Sequence, residues 1–251
     1  TITEDTYLKL YKVINEFQYH LVTTGTNFII NNSKHTKRNV KEDIYCKNIN
    51  EISNYFYRFT ADDKERVLNV VWNKIYKKSI IIENNIEFNE NINLGEDFLF
   101  NCEYIKKIKN LIEIKDCLYN YYFNQPNNLT SKFRTDILSR RKKIYNELVE
   151  FYKFYKIYDK KNKKFLLKYE GKMMYYSLLT VFSNNCNLSK TEKIMFLKDI
   201  LNDKHVLVVN HYLRFGIEKI LINLKKEKSL YDYMKLKQDV KLLLKNIGGK
   251  K

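Results

Sequence analysis

Proline and glycine are scarce in this chain: one proline and six glycines in 251 residues. That scarcity excludes collagen-like, Pro-rich and Gly-rich linker architectures. Long apolar runs are also missing. The longest is "MMYYSLLTVF", residues 173–182. A membrane span needs about 20 such residues, so the run is a buried helix at most. The chain opens "TITEDTYLKL", which has neither the apolar core of a signal peptide nor an initiator methionine. It reads as a piece of something longer. Cys46, Cys102, Cys117 and Cys186 show no metal-type spacing and no C-x-x-C, which points to reduced thiols in a cytoplasmic setting rather than a disulfide framework. His205 and His211 lie six apart, an offset that does not share a helix face, so no metal site is expected.

What is present is apolar content, aromatic rings and positive charge. Hydrophobic residues make up 44%, with 21 Tyr and 15 Phe, which is enough for a real core in a chain of one large or two small domains. The net charge of +17 is unevenly spread. Residues 1–131 balance 17 basic against 17 acidic groups, whereas 132–172 hold 14 against 5 and 219–251 hold 10 against 3. Such asymmetry fits an anionic partner for the second half.

Local patterns divide the chain near residue 131. Residues 3–17 predict a helix capped by Thr3, with a stripe of Tyr7, Leu10, Tyr11, Ile14 and Phe17. "HLVTTGTNFII", residues 20–30, is β-branched and predicts a strand; residues 31–48 predict a loop or hairpin. "NEISNYFYRF" predicts a short helix. "VLNVVWNKIY", residues 67–76, begins like a strand and can turn into a helix. "NLGEDFLFNCEYIKKI" predicts a turn and then a helix to about residue 108. "LIEIKDCLYNYYFN", residues 111–124, predicts one or two strands, and "QPNNLTSK" a loop. From residue 133 onward the period is helical. Ile137, Ile144, Leu148, Phe151, Tyr155 and Tyr158 form one stripe, and Ser189 with Glu192 has capping-box spacing. The fold class is therefore mixed α/β over 1–131, followed by a basic, mostly α-helical region over 132–251.

"NINLGEDFLF", residues 91–100, raises a chemical question. Acids at a helix start stabilise the helix dipole by about 0.3–1 kcal/mol, so Glu96 and Asp97 alone call for no further role. Trp72 is core by default, and Lys74, Lys77 and Lys78 read as a solvated face. Asp62 and Asp63 are adjacent acids in a loop.

The order of the pieces carries more. Trp72-Asn73-Lys74-Ile75-Tyr76, then Gly95-Glu96-Asp97, then Tyr119-Asn120-Tyr121, then Thr130-Ser131 resembles the second half of family 2 glycosyltransferases, which build bacterial surface polysaccharides. "EDTYLKLYKVINEFQYHLVTTGTNF" looks like the helix and strand that follow this family's Asp-x-Asp motif. The resemblance covers about residues 1–131 and lacks the family's nucleotide-binding half with that motif.

The resemblance implies the acceptor-side half of a GT-A-like domain. In that reading Asp97 is the catalytic base and Glu96 orients the acceptor or raises Asp97's basicity. Gly95 provides the sharp turn, while Trp72, Asn73 and Lys74 contact substrate. A nucleotide-sugar donor and a divalent metal, Mg or Mn, would be held by the missing half, so this chain alone is expected to be inactive and to bind no metal. The acceptor would be a glycan or lipid-linked hydroxyl. The setting would be cytoplasmic and peripheral to the inner membrane face, with 132–172 and 219–251 against anionic lipid. Nucleic acid ranks last as a partner, since no recognition motif appears. The alternative is a non-catalytic basic module that binds a membrane surface or a protein.

Overall fold

A computed structural model describes residues 1–30, 33–38, 40–58, 66–92, 94–122, 132–212 and 216–248. Asp62, Asp63, Thr130, Ser131 and most of the "QPNNLTSK" segment lie outside the described residues. The chain forms two compact units: residues 1–128 with 146–162, and residues 129–145 with 163–251. The stretch 146–162, inside the region read from sequence as the helical block, belongs to the first unit.

The first unit is built on a five-stranded mixed sheet. Helix α1 (Thr6–Phe17) leads into strand β1 (Leu21–Ile30), whose Leu21, Val22, Thr23, Thr24 and Thr26 are all buried. A strand covered on both faces favours such β-branched residues. One edge of β1 pairs antiparallel with β4 (Lys74–Tyr76) at its start and with β2 (Ser33–Arg38) at its end. Along its other edge β5 (Leu111–Tyr122) runs parallel, and β3 (Ile44–Cys46) closes the sheet beyond β5. Register shifts around Gly25 bring Thr26 beside Tyr119 and Phe28 beside Tyr121. Because alternate strand residues share a face, Tyr119 and Tyr121 project together.

Two apolar layers cover the sheet unit. Leu10 packs with Tyr19, Val22, Ile112, Ile114 and Leu118, and Val13, Ile14 and Ile75 lie against them. The α1 stripe differs from the sequence expectation: Tyr7 and Tyr11 are exposed, and the buried face runs through Thr6 and Leu10. Thr6 sets that face, because its hydroxyl donates to the Leu118 carbonyl at 3.1 Å. Thr3 does not cap the helix; Asp5 stands at the N-cap position.

The second layer joins α2 (Ile49–Arg58), α5 (Glu96–Ile105) and the end of α6 (Ile137–Phe154). Phe56 meets Phe151 edge-on at 4.9 Å, and the Tyr155 hydroxyl donates to the Ile105 carbonyl at 2.6 Å. Burying such rings stabilises by roughly 1.5–3 kcal/mol each.

Between β3 and β5 the chain also carries α3 (Arg66–Asn69) and α4 (Lys78–Glu83). The stretch 67–76 reverses the sequence expectation: a single helical turn comes first and the strand second. Elements this short are fixed by their neighbours rather than by periodicity.

The second unit is helical. It comprises the start of α6, most of α7 (Lys160–Leu179), a 3₁₀ turn at Thr180–Phe182, and α8 (Lys190–Leu201), α9 (Lys204–Asn210), α10 (Ile217–Asn223) and α11 (Glu227–Gly248). Ser189 and Glu192 form the expected capping box. Glu170, fully buried, is paired with Arg141, and His205 Nε2 lies 3.4 Å from its other oxygen. Lys142 bonds Asp203 at 2.5 Å. Among the described residues no helix is long and apolar enough to cross a membrane.

Candidate active site

Gly95 adopts φ 89°, a left-handed conformation open to glycine and strained for other residues. It ends the loop and starts α5, so Glu96 and Asp97 occupy the first turn. Asp97 is half-buried. Burial raises its carboxyl above the ordinary aspartate range, and the Glu96 charge raises it further; the Val71 N–H, donating to it, and the Lys74 cation pull the other way. Glu96 Oε2 is buried and has no hydrogen-bond partner among the described residues. A carboxylate with a raised pKa is a better proton acceptor than one in water.

The structure brings two sequence motifs to this carboxylate. Val71, which precedes Trp72, reaches Asp97 through its backbone, and Lys74 reaches it through its charge. Lys74 is not part of a solvated face. It is buried, and its ammonium donates to the Val70 carbonyl at 2.6 Å and to Asn73 Oδ1 at 2.7 Å. Desolvating an ammonium is costly unless its donors are used, and here backbone and amide oxygens use them. Lys77 and Lys78 are exposed, as expected. Asn73 is buried too: its amide donates to the Thr24 carbonyl at 2.7 Å and its own carbonyl accepts from Thr24 N–H at 3.0 Å. Asn73 thus ties the turn before β4 to β1, and Lys74 braces that turn from within.

Trp72 is half-buried and stacks on the third motif. Its ring lies 4.1 Å from Tyr119 at 27° and 5.5 Å from Tyr121 at 25°. Such pairs contribute about 0.5–1.5 kcal/mol beyond area burial. Phe28 adds a ring 5.8 Å from Tyr121. Beneath this ledge the Thr26 hydroxyl is buried with no partner among the described residues. A planar aromatic surface suits a ligand with apolar faces, and a carboxylate with a raised pKa suits one that presents a hydroxyl.

Sequence reading missed three contributors. Tyr76 donates its hydroxyl to Asn101 Oδ1 at 2.7 Å, and burial first, then the Asp97 charge, pushes that phenol up. Asn101 is fully buried. The Val71 N–H is backbone, which no residue pattern displays. Asn101 did carry a signal, as the single amide inside the apolar run "FLFNC", because buried amides need partners.

No protein-family model and no curated protein matches the chain. Solved structures do. The structure of S. aureus TarS residues 1–349 in complex with UDP matches with a TM-score of 0.56 at 13% identity, over 96% of this chain and 64% of that one. TarS 1–349 in complex with UDP-GlcNAc matches with a TM-score of 0.49 at 14% identity, over 96% and 65%. The chain spans about two thirds of the length of these structures. The likeness to the UDP complex is one of fold: this mixed α/β chain shares the fold of that TarS structure.

Proposed function

We propose that this chain is the acceptor-side part of an inverting glycosyltransferase that moves a sugar from a nucleotide-sugar donor to a glycan or lipid-linked hydroxyl. One observation carries the reading: a half-buried Asp97 in the first turn of α5, after the left-handed Gly95, in the same unit as the stacked Trp72–Tyr119–Tyr121 ledge. The fold shared with TarS, solved with UDP, supports it.

In this reading a sugar ring of the acceptor lies against the ledge and presents a hydroxyl to Asp97. As the oxygen attacks the anomeric carbon, Asp97 takes its proton and the bond to the donor's diphosphate breaks, inverting the carbon. Such proton removal contributes typically about 10²–10⁴-fold. Glu96 keeps Asp97 basic by like-charge proximity. Asn73 and Lys74 act from within, holding the turn that carries Trp72. A divalent metal such as Mg or Mn would neutralise the leaving diphosphate. In this reading the metal and the donor are held by sequence outside this chain.

The basic segments 132–172 and 219–251 supply the proposed contact with an anionic membrane surface. Supporting it, Leu236, Val240, Leu243 and Leu244 form an exposed stripe on α11, opposite the buried Leu230, Tyr231 and Met234. Nucleotide release settles the catalytic reading. A longer protein joining this chain to a nucleotide-binding half should release UDP from a UDP-sugar only when a glycan acceptor is present. No release with any of a panel of nucleotide-sugars and acceptors contradicts the proposal.

A further inference from the structure

We infer that His20 is an acid-sensitive latch: its neutral ring holds the loop between α5 and β5 against the start of β1, and uptake of a proton releases that loop. The inference is independent of the reaction proposed above. His20 directly precedes β1, and Lys109 and Asn110 directly precede β5. Leu21 and Leu111, the next residues, form the first pair of the parallel ladder, so the junction stands where the two strands enter the sheet. The His20 N–H donates to Asn110 Oδ1 at 2.8 Å. Its carbonyl accepts from the Lys77 N–H at 3.0 Å and from the hydroxyl of Tyr104, fully buried on α5, at 2.6 Å. The ring adds a bond of its own: the Lys109 N–H donates to His20 Nδ1 at 3.1 Å.

That bond fixes the state of the ring. A peptide N–H can only donate, so Nδ1 must offer a lone pair and the ring's proton sits on Nε2. A protonated ring has no lone pair left, and two donors then face each other. The surroundings oppose the proton as well. Lys77, between β4 and α4, and Lys109, on the loop, are both cations, and the Tyr104 phenol on α5 is held neutral by burial. Burial first, then the two cations, keeps the ring below the ordinary histidine range. The latch is therefore whole above that range and is lost as pH falls through the lowered value. The backbone bonds of His20 do not titrate, so release is confined to the loop.

Hydrogen exchange of the Lys109 amide reads the latch in this 251-residue chain, followed by nitrogen-15 NMR and corrected for intrinsic exchange. Its protection should fall several-fold from about pH 8 to about pH 4, a span that takes in the titration of histidine. His20→Asn places an amide oxygen near the Nδ1 position, where it accepts the same N–H and gains no proton, so protection should stay level. His20→Leu, with no acceptor, should show low protection at both ends. Level protection in the parent, or an equal fall in His20→Asn, overturns the inference. If His20→Asn does not fold, the ring nitrogens of the parent decide at neutral pH: a proton on Nε2 alone supports the latch, and one on Nδ1 overturns it.

Discussion

Each of the two units holds an acid in an unusual place, and their surroundings differ. In the helical unit Glu170 is fully buried, paired with Arg141 and approached by His205 at 3.4 Å. In the sheet unit Asp97 is only half-buried and has another acid next to it, and burial and that neighbouring charge raise its carboxyl. A buried carboxylate that is paired holds structure together. A partly desolvated one with no ion pair among the described residues is suited to take a proton. The same side-chain chemistry therefore serves architecture in one unit and, in our reading, catalysis in the other.

Replacing the cation in the helical unit should have the largest effect on stability. Arg141→Ala leaves Glu170 buried without its main partner and should cost about 3–5 kcal/mol, read by urea unfolding. A cost near zero would make the two acids alike and erase the contrast. The sheet unit should respond in the opposite sense. The folded chain holds Asp97's proton between the ordinary carboxyl value and the raised one, so the stability this group contributes is lost as pH rises through that window. Asp97→Asn should therefore melt higher than the parent at neutral pH, with the gap closing as pH falls below the ordinary aspartate range. A lower melting temperature at neutral pH would mean that Asp97 is a structural acid like Glu170.

Smaller effects sharpen the picture. A double-mutant cycle on Trp72 and Tyr119 should give a coupling of about 0.5–1.5 kcal/mol from the stacked rings. Absence of coupling would remove the ledge. Vesicle sedimentation should show binding to anionic but not neutral lipid, weakened by salt, and Leu243→Ser with Leu244→Ser should reduce it. Equal binding to neutral vesicles would discard the electrostatic contact. Breaking the exposed Lys235–Asp239 pair should change stability by only about 0.3–0.5 kcal/mol, the scale of a solvated helix pair.

Much of this arrangement was legible in residues. The β-branched run at 21–30 and the alternation at 111–122 announced β1 and β5, and Gly95 before two acids announced the start of α5. Ser189 and Glu192 formed the cap their spacing predicted. What was hidden depends on contacts distant in sequence. Lys74 looks like any surface lysine until the Val70 and Asn73 oxygens are seen around it. Tyr7 and Tyr11 satisfy helical periodicity, yet Thr6 turns the helix so that they face outward. The turn of helix at 66–69 is too short to show a period, and the segment 146–162 joins the first unit through aromatic contacts such as Phe151 on Phe56.

The role of Asp97 is tested most directly by sugar transfer in a longer protein that carries this chain with a donor-binding half, comparing the parent with Asp97→Asn. The account predicts a loss of about 10²–10⁴-fold in kcat with donor affinity and folding retained. Turnover that survives the substitution would contradict it.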